Sequence, residues 1–249
     1  MPSSFDLAVL AALVLGAAML YSSGGHAGAS AYLALMALYS VAPATMRPTA
    51  LVMNIAVASI GTTRFVRAKA VPWDVLKWLC LGSLPAAFLG GRMKLPPGQY
   101  LLVLGGTLLV ASFFLWLRPK VADKRPAPPA AGLVAIGAAL GFLAGLTGIG
   151  GGIFLSPLLL LTGWEDPRRT SGAAAVFILL NSILGLAGQL ASLAEIPPQA
   201  GVLAATAVAG GLVGSYLGVH KLQPIALRRV HAVVLLLSGV KLVSEGWKL

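Results

Sequence analysis

"GFLAGLTGIGGGIFLSPLLLLTG", residues 141–163, carries no charge, yet it places glycine at 141, 145, 148, 150, 151, 152 and 163 and proline at 157. Glycine weakens a helix and proline interrupts one. A segment this rich in both cannot form an uninterrupted helix. The rest of the chain decides what it does instead. Of 249 residues, 58% are apolar and 10% charged, at a mean hydropathy of +0.89. A soluble domain carries about a quarter charged residues, so this chain has too few to face water on all sides. It reads as an all-α integral membrane protein.

A helix that crosses a bilayer needs about 20 apolar residues. Ten apolar segments lie near 5–21, 27–42, 49–65, 73–91, 98–117, 131–147, 152–163, 171–190, 198–218 and 226–244. No Lys or Arg precedes Arg47, so the first segment lacks the basic flank of a secretory signal and reads as a retained span. The linker "RPKVADKRPAPPA", residues 118–130, combines prolines and charges between a first unit, 1–117, and a second, 131–249. Segments two and seven are short, so each is either a re-entrant loop or a full crossing.

Cytoplasmic loops of membrane proteins collect Lys and Arg. With ten crossings, the odd-numbered loops hold Arg64, Arg67, Lys69, Lys77, Arg118, Lys120, Lys124, Arg125, Arg168, Arg169, Lys221, Arg228 and Arg229. The other side receives Arg47, Arg92, Lys94, Lys241 and Lys248. This bias puts both termini outside. Re-entrant segments would instead alternate the basic loops between the two sides, so ten crossings fit better.

The halves also resemble one another. Gly82, Leu84 and Leu89-Gly90 recur as Gly210, Leu212 and Leu217-Gly218, followed by Lys94-Leu95 as Lys221-Leu222 and Pro97 as Pro224. Upstream, Arg47-Pro48-Thr49 pairs with Arg168-Arg169-Thr170. Five spans per unit force the second unit to insert upside down. The expected fold is therefore two inverted five-segment repeats with helices interrupted at the glycine-rich motifs. Many secondary transporters are built this way, with substrate held at mid-membrane on broken helices.

Two roles compete for the glycines. Gly137, Gly141 and Gly145, like Gly210, Gly214 and Gly218, follow the small-xxx-small spacing of close helix packing. The denser set Gly148, Gly150, Gly151 and Gly152 is expected to mark a helix break whose backbone N–H groups meet an anion. Polar side chains inside spans are expensive and default to functional candidates. Asn54 and Asn181 can each donate to an oxyanion or bond between helices. Thr62 and Arg64 end the third segment, where Arg64 is either an anion partner or a topology anchor. Gly25 and His26 lie in the first-half cluster "SSGGHAGASAYL", and His26 could shuttle a proton or be structural. Ser156, Ser171 and Gln189 are weaker candidates.

"GLTGIGGGIFLSPLLLLTG" with "DPRRTSGAAAVFILLNSILGLAG" resembles the glycine-rich signature of the TauE/SafE family of membrane transporters. The resemblance covers essentially the whole chain and is strongest over 141–188. It implies movement of small sulfur-containing anions, such as export of sulfite or organosulfonates, across the cell membrane, the inner membrane in a bacterium. The first half departs from the pattern at "SSGGHAGASAYL", which has no proline until Pro43.

Other classes find less support. The formal charge of +11 sits in short clusters between apolar runs rather than on one face with aromatics, against a nucleic-acid partner. No Walker motif, HExxH or nucleophile constellation argues for ATP drive or an enzyme. No cofactor or metal is expected. The seven acidic residues fall in loops or near span ends, so no mid-span carboxylate offers a sodium or proton site. The expected partners are the lipid bilayer and a small anion, with a homodimer left open. A passive anion channel, or a structural or assembly membrane protein, remains the alternative to a transporter.

The basic-residue distribution predicts an extracytoplasmic N-terminus. Reporter fusions at Ser3 should be active only on the outer side; exclusively cytoplasmic labelling would overturn ten crossings.

Overall fold

Ten α-helices and no strand make up the described residues, which are 4–23, 27–116, 125–192, 195–218 and 225–249 of this computed structural model. They are α1 (Ser4–Ser23), α2 (Ala29–Leu38), α3 (Pro43–Arg67), α4 (Trp73–Arg92), α5 (Pro97–Trp116), α6 (Ala130–Thr147), α7 (Gly152–Thr162), α8 (Pro167–Ala191), α9 (Gln199–Gly218) and α10 (Ile225–Gly246). Each corresponds to one apolar segment of the sequence. By length and composition α3, α5, α6 and α8 can each cross a membrane. The 10 residues of α2 and 11 of α7 reach about 15 Å, half the ~30 Å hydrocarbon layer.

Local chemistry sets the ends. Pro43 and Pro167 open α3 and α8, where the missing N–H is an orphan anyway. The Asp166 carboxylate caps α8 by accepting from the Arg168 and Arg169 amides at 2.8 and 3.0 Å. At the same end Arg169 bonds Glu165 at 2.7 Å and Asp74 at 3.0 Å, tying the start of α8 to the start of α4. Burial pushes the Glu165 carboxyl up from its ordinary range, and Arg169 draws it back. Lys241 donates to the carbonyls of Ala37 and Leu38 and to Ser40, closing the C-terminal end of α2 with a cation.

Glycines let the long helices touch backbone to backbone. A Cβ on Gly137, Gly141 or Gly145 would lie 2.0–2.2 Å from the carbonyl oxygens of Leu79, Ser83 and Ala87, so α6 and α4 run parallel in contact over three turns. Gly82 and Gly90 return the contact from α4, against Val134 and Phe142. Gly210 and Gly214 seat α9 on α1 in the same way, at the carbonyls of Leu15 and Met19. The packing role read from the small-xxx-small spacing holds at these five positions. The surroundings of Gly218 lie outside the described residues. In lipid, where no water drives helices together, such approach is a main source of association.

Two further pairs run antiparallel. Gly98 meets Gly246 and Gly105 meets Gly239, joining α5 to α10. Asn54 stands beside Ser182 and Gly61 beside Ala175, joining α3 to α8. Helix α8 also packs on α4, with Gly188 on the Phe88 carbonyl, and α9 on α3, with Gly211 on Val57.

Gly141→Ala should destabilise the detergent-purified protein by about 1–3 kcal/mol through overpacking. Gly106→Ala, whose Cβ meets nothing within 4 Å, should be neutral or gain up to about 1 kcal/mol. Thermal unfolding compares them, and equal effects would remove the backbone contact as the cause.

Candidate functional site

The opening stretch breaks where the glycines are densest. Helix α6 stops at Thr147, and Gly148, Gly150 and Gly151 take φ of +84°, +80° and +81° before α7 starts at Gly152. Any other residue would pay about 1–2 kcal/mol at each such position. Space is equally short. A Cβ on Gly150 would sit 2.9 Å from Asn54 Nδ2 and Ser182 Oγ, and one on Gly151 would lie 2.8 Å from the Phe177 ring. One on Gly152 would lie 2.4 Å from Ile178. Glycine is thus required here by conformation and packing, before any ligand approaches.

A break in lipid frees backbone groups, each costing several kcal/mol if unmet. Three carbonyls around this one have side-chain partners. Arg47, from α3, donates Nε and Nη2 to Gly145 O at 3.1 and 2.8 Å. Tyr100, from α5, donates to Thr147 O at 3.1 Å. Asn54 donates Nδ2 to Ile149 O at 3.3 Å and shares it with Ser182 Oγ at 3.3 Å. The Thr147 hydroxyl accepts weakly from the Ile149 amide at 3.4 Å.

Arg47 does more than close α6. Its Nη2 reaches Gly90 O and Gly91 O at 2.5 and 2.8 Å, and Nη1 reaches Met93 O at 3.0 Å. One guanidinium therefore draws the C-terminal ends of α4 and α6 together on the first turns of α3. The negative ends of two helix dipoles point at a permanent cation. Sequence reading placed Arg47 among topology charges. Its signal was its position at the start of a span, four residues after Pro43, but the partners are backbone atoms from 43 to 98 residues away.

The remaining candidates divide. Gly148, Gly150, Gly151, Gly152, Asn54 and Asn181 gather around the break or on the two helices that flank it. Asn54 and Asn181 are fully buried. Both Asn54 donors are committed, and Asn181 gives Nδ2 to Phe177 O at 2.8 Å, while both Oδ1 atoms lack a partner. Asn54 thus turns an acceptor oxygen to its surroundings, whereas Asn181 keeps a second N–H besides its own unpartnered oxygen. Ser156 is buried in the second turn of α7. Thr62 has a buried, unpartnered hydroxyl near the other end of α3, and Arg64 lies exposed one turn from that end. Arg64 and Arg67 are basic residues of the last α3 turn, at the opposite end of α3 from Arg47. Gly25 and His26 lie outside the described residues. Among the described residues no cluster of three or more His, Cys, Asp or Glu could hold a metal.

Beside Arg47 a cavity of about 980 Å³ opens between the α2–α3, α4–α5 and α8–α9 connections. Its wall is mixed. Arg47, Lys94 and Glu195 carry charge, Thr49, Tyr100 and Gln189 are polar, and Leu10, Met36 and Leu203 are apolar. Volumes of this order suit small-molecule sites.

Comparison with known proteins gives the same class. The family model described as sulfite exporter TauE/SafE matches residues 9–242. "Probable membrane transporter protein y4hK" of Sinorhizobium fredii is 37% identical over 231 residues, covering 91% of this chain and 94% of that protein. "Probable membrane transporter protein YjnA" of Bacillus subtilis is 27% identical over 256 residues, covering 94% of this chain and 98% of its own. No solved structure matches the chain.

Arg47→Ala would orphan carbonyls of two helix ends and should cost roughly 3 kcal/mol or more. Arg47→Lys keeps the charge without the planar fork and should recover a minority of that loss. Thermal unfolding in detergent measures both; a Lys variant as stable as wild type would show that charge alone holds the ends.

Proposed function

The chain belongs to the sulfite exporter TauE/SafE family and is a multi-pass membrane transporter; on that premise we propose that it is a secondary exporter of small sulfur-containing anions, sulfite or an organosulfonate. The observation that carries the reading is the broken helix α6–α7 beside a cavity with a buried-side arginine. An anion in that cavity meets the fixed positive charge of Arg47, which also holds the end of α6 beside the break.

The packing supports two inverted repeats, 1–117 and 131–249, joined by the linker 118–130. Replacing each helix by the one five places along turns α1–α9 into α6–α4, and α3–α9 into α8–α4. The same operation returns α3–α8 and α5–α10 to themselves, and those two pairs are antiparallel, as an inverting two-fold requires. Gly82 and Gly210, matched in sequence, each seat their helix on a backbone carbonyl of the partner, Val134 in α6 and Leu15 in α1.

Ten crossings agree with the same contacts. Arg47 ties the end of α6 to the end of α4, while Arg169 ties the start of α8 to the start of α4. These ties support a reading in which residues 148–166 carry the chain from one side to the other and α7 crosses rather than turning back. The cavity then opens on the extracytoplasmic face, where substrate leaves.

Among the described residues no carboxylate lies at mid-span to bind sodium or relay protons, and on this reading the anion moves down the inside-negative potential unaided. That potential is worth about 2.3 kcal/mol per charge per 100 mV, or roughly a fiftyfold gradient. In proteoliposomes loaded with sulfite, a potassium–valinomycin potential should accelerate efflux with no pH or sodium gradient. Flux that ignored the potential and followed pH would replace this mechanism with proton coupling, and His26 would be the first residue to change.

A further inference from the structure

We propose that the cavity beside Arg47 holds an oxyanion seat built by Thr49 and Gln189 together with the Arg47 charge. Nothing in the sequence signature or the comparisons assigns this place. It rests on the transport reading only for its purpose, since anion binding is measurable without transport.

Thr49 is 1% exposed and Gln189 3% exposed, and both line the cavity. Thr49 Oγ1 and Gln189 Nε2 have no hydrogen-bond partner and are themselves buried, so each side chain must turn for its donor to reach the cavity. A buried amide or hydroxyl left unmet costs about 1–3 kcal/mol, so each of these two gains from an acceptor brought to it beside the Arg47 charge. They come from the two helices that cross face to face. In the antiparallel register that sets Asn54 beside Ser182, Thr49 and Gln189 stand a turn or two further toward the Arg47 end.

The chemistry selects the ligand. Gln189 Nε2 carries two N–H donors and Thr49 one O–H, and Arg47 retains an N–H on Nη1 beyond its bond to Met93. All are donors, and the neighbouring Arg47 charge is positive. Lys94 adds a second cation at the wall, while exposed Glu195 opposes it. Tyr100 contributes no donor, because its hydroxyl is spent on Thr147 O. A pyramidal or tetrahedral oxyanion head satisfies such a set, and a cation does not. Sulfite and alkanesulfonates share that head. The apolar wall of Leu10, Met36 and Leu203 has room for a short carbon chain on the second.

The test is the thermal shift of detergent-purified protein with sulfite and, separately, with ethanesulfonate, each against sodium chloride at equal ionic strength. Both anions, or one, should stabilise the wild type. Thr49→Val and Gln189→Leu should weaken that binding about tenfold or more each, as expected for a lost hydrogen bond to an ion. Thr49→Ser, which keeps the hydroxyl, should bind as wild type. Neither removal should lower the anion-free melting temperature, because neither atom bonds within the protein. Response to ethanesulfonate alone would identify the organic anion as the ligand. Absence of any shift in the wild type, or equal shifts in wild type and both removal variants, overturns the seat. Binding lost in the variants with no flux by the wild type leaves the seat standing and removes the transport reading. Flux at wild-type KM through both variants does the reverse.

Discussion

A chain that breaks a helix inside lipid must give every freed carbonyl a partner from its own residues, because no water is there to supply one. This constraint organises the structure around residues 145–151. Arg47 takes the carbonyl of Gly145, Tyr100 that of Thr147 and Asn54 that of Ile149. These three side chains come from α3 and α5, elements of the first half, while the break lies in the second. The break therefore cannot exist until the halves have packed together. Arg47 extends the same logic to α4, whose end it holds through Gly90, Gly91 and Met93.

That dependence explains why the surrounding helices are so close. Arg47 can reach carbonyls on α4 and α6 at once because Gly141 and Gly145 let the two backbones touch. A bulkier residue at either position would push α4 away and leave the guanidinium to one helix. The glycines at 148, 150 and 151 act differently, since their left-handed conformation turns the chain out of α6 and into α7. One residue type thus serves packing in the helix and geometry in the break, and the sequence separates the two roles by spacing.

Much of this was legible in advance. Hydropathy placed ten segments where ten helices stand, because a membrane helix is apolar all round and its length is set by the bilayer. Spacing distinguished Gly137, Gly141 and Gly145 from Gly148–Gly152, because contact between helices recurs each turn while a break needs consecutive freedom. The partners of the break were not legible. Arg47 and Tyr100 act on backbone carbonyls 98 and 47 residues away, and a carbonyl leaves no mark in the sequence. Asn54 was visible as a polar residue in a span, but the direction of its amide was not. Its donors face the Ile149 carbonyl and Ser182, the bond between helices that was one of its two readings.

The direction of those amides bears on how an anion passes. Asn54, with both amide donors spent, presents an unpartnered acceptor oxygen at the level of the break, which repels an oxyanion rather than holds it. Donors that remain free lie nearer the cavity, at Thr49 and Gln189, beside a charge that cannot be lost. A binding place surrounded by donors next to a level lined by acceptors gives an anion a well followed by a barrier. Tight binding at mid-membrane would slow release, whereas the proposed seat lies close to the open cavity. On the proposed transport reading, an anion that passes the break competes with Ile149 O for the Asn54 amide, which links its movement to the hinge between α6 and α7.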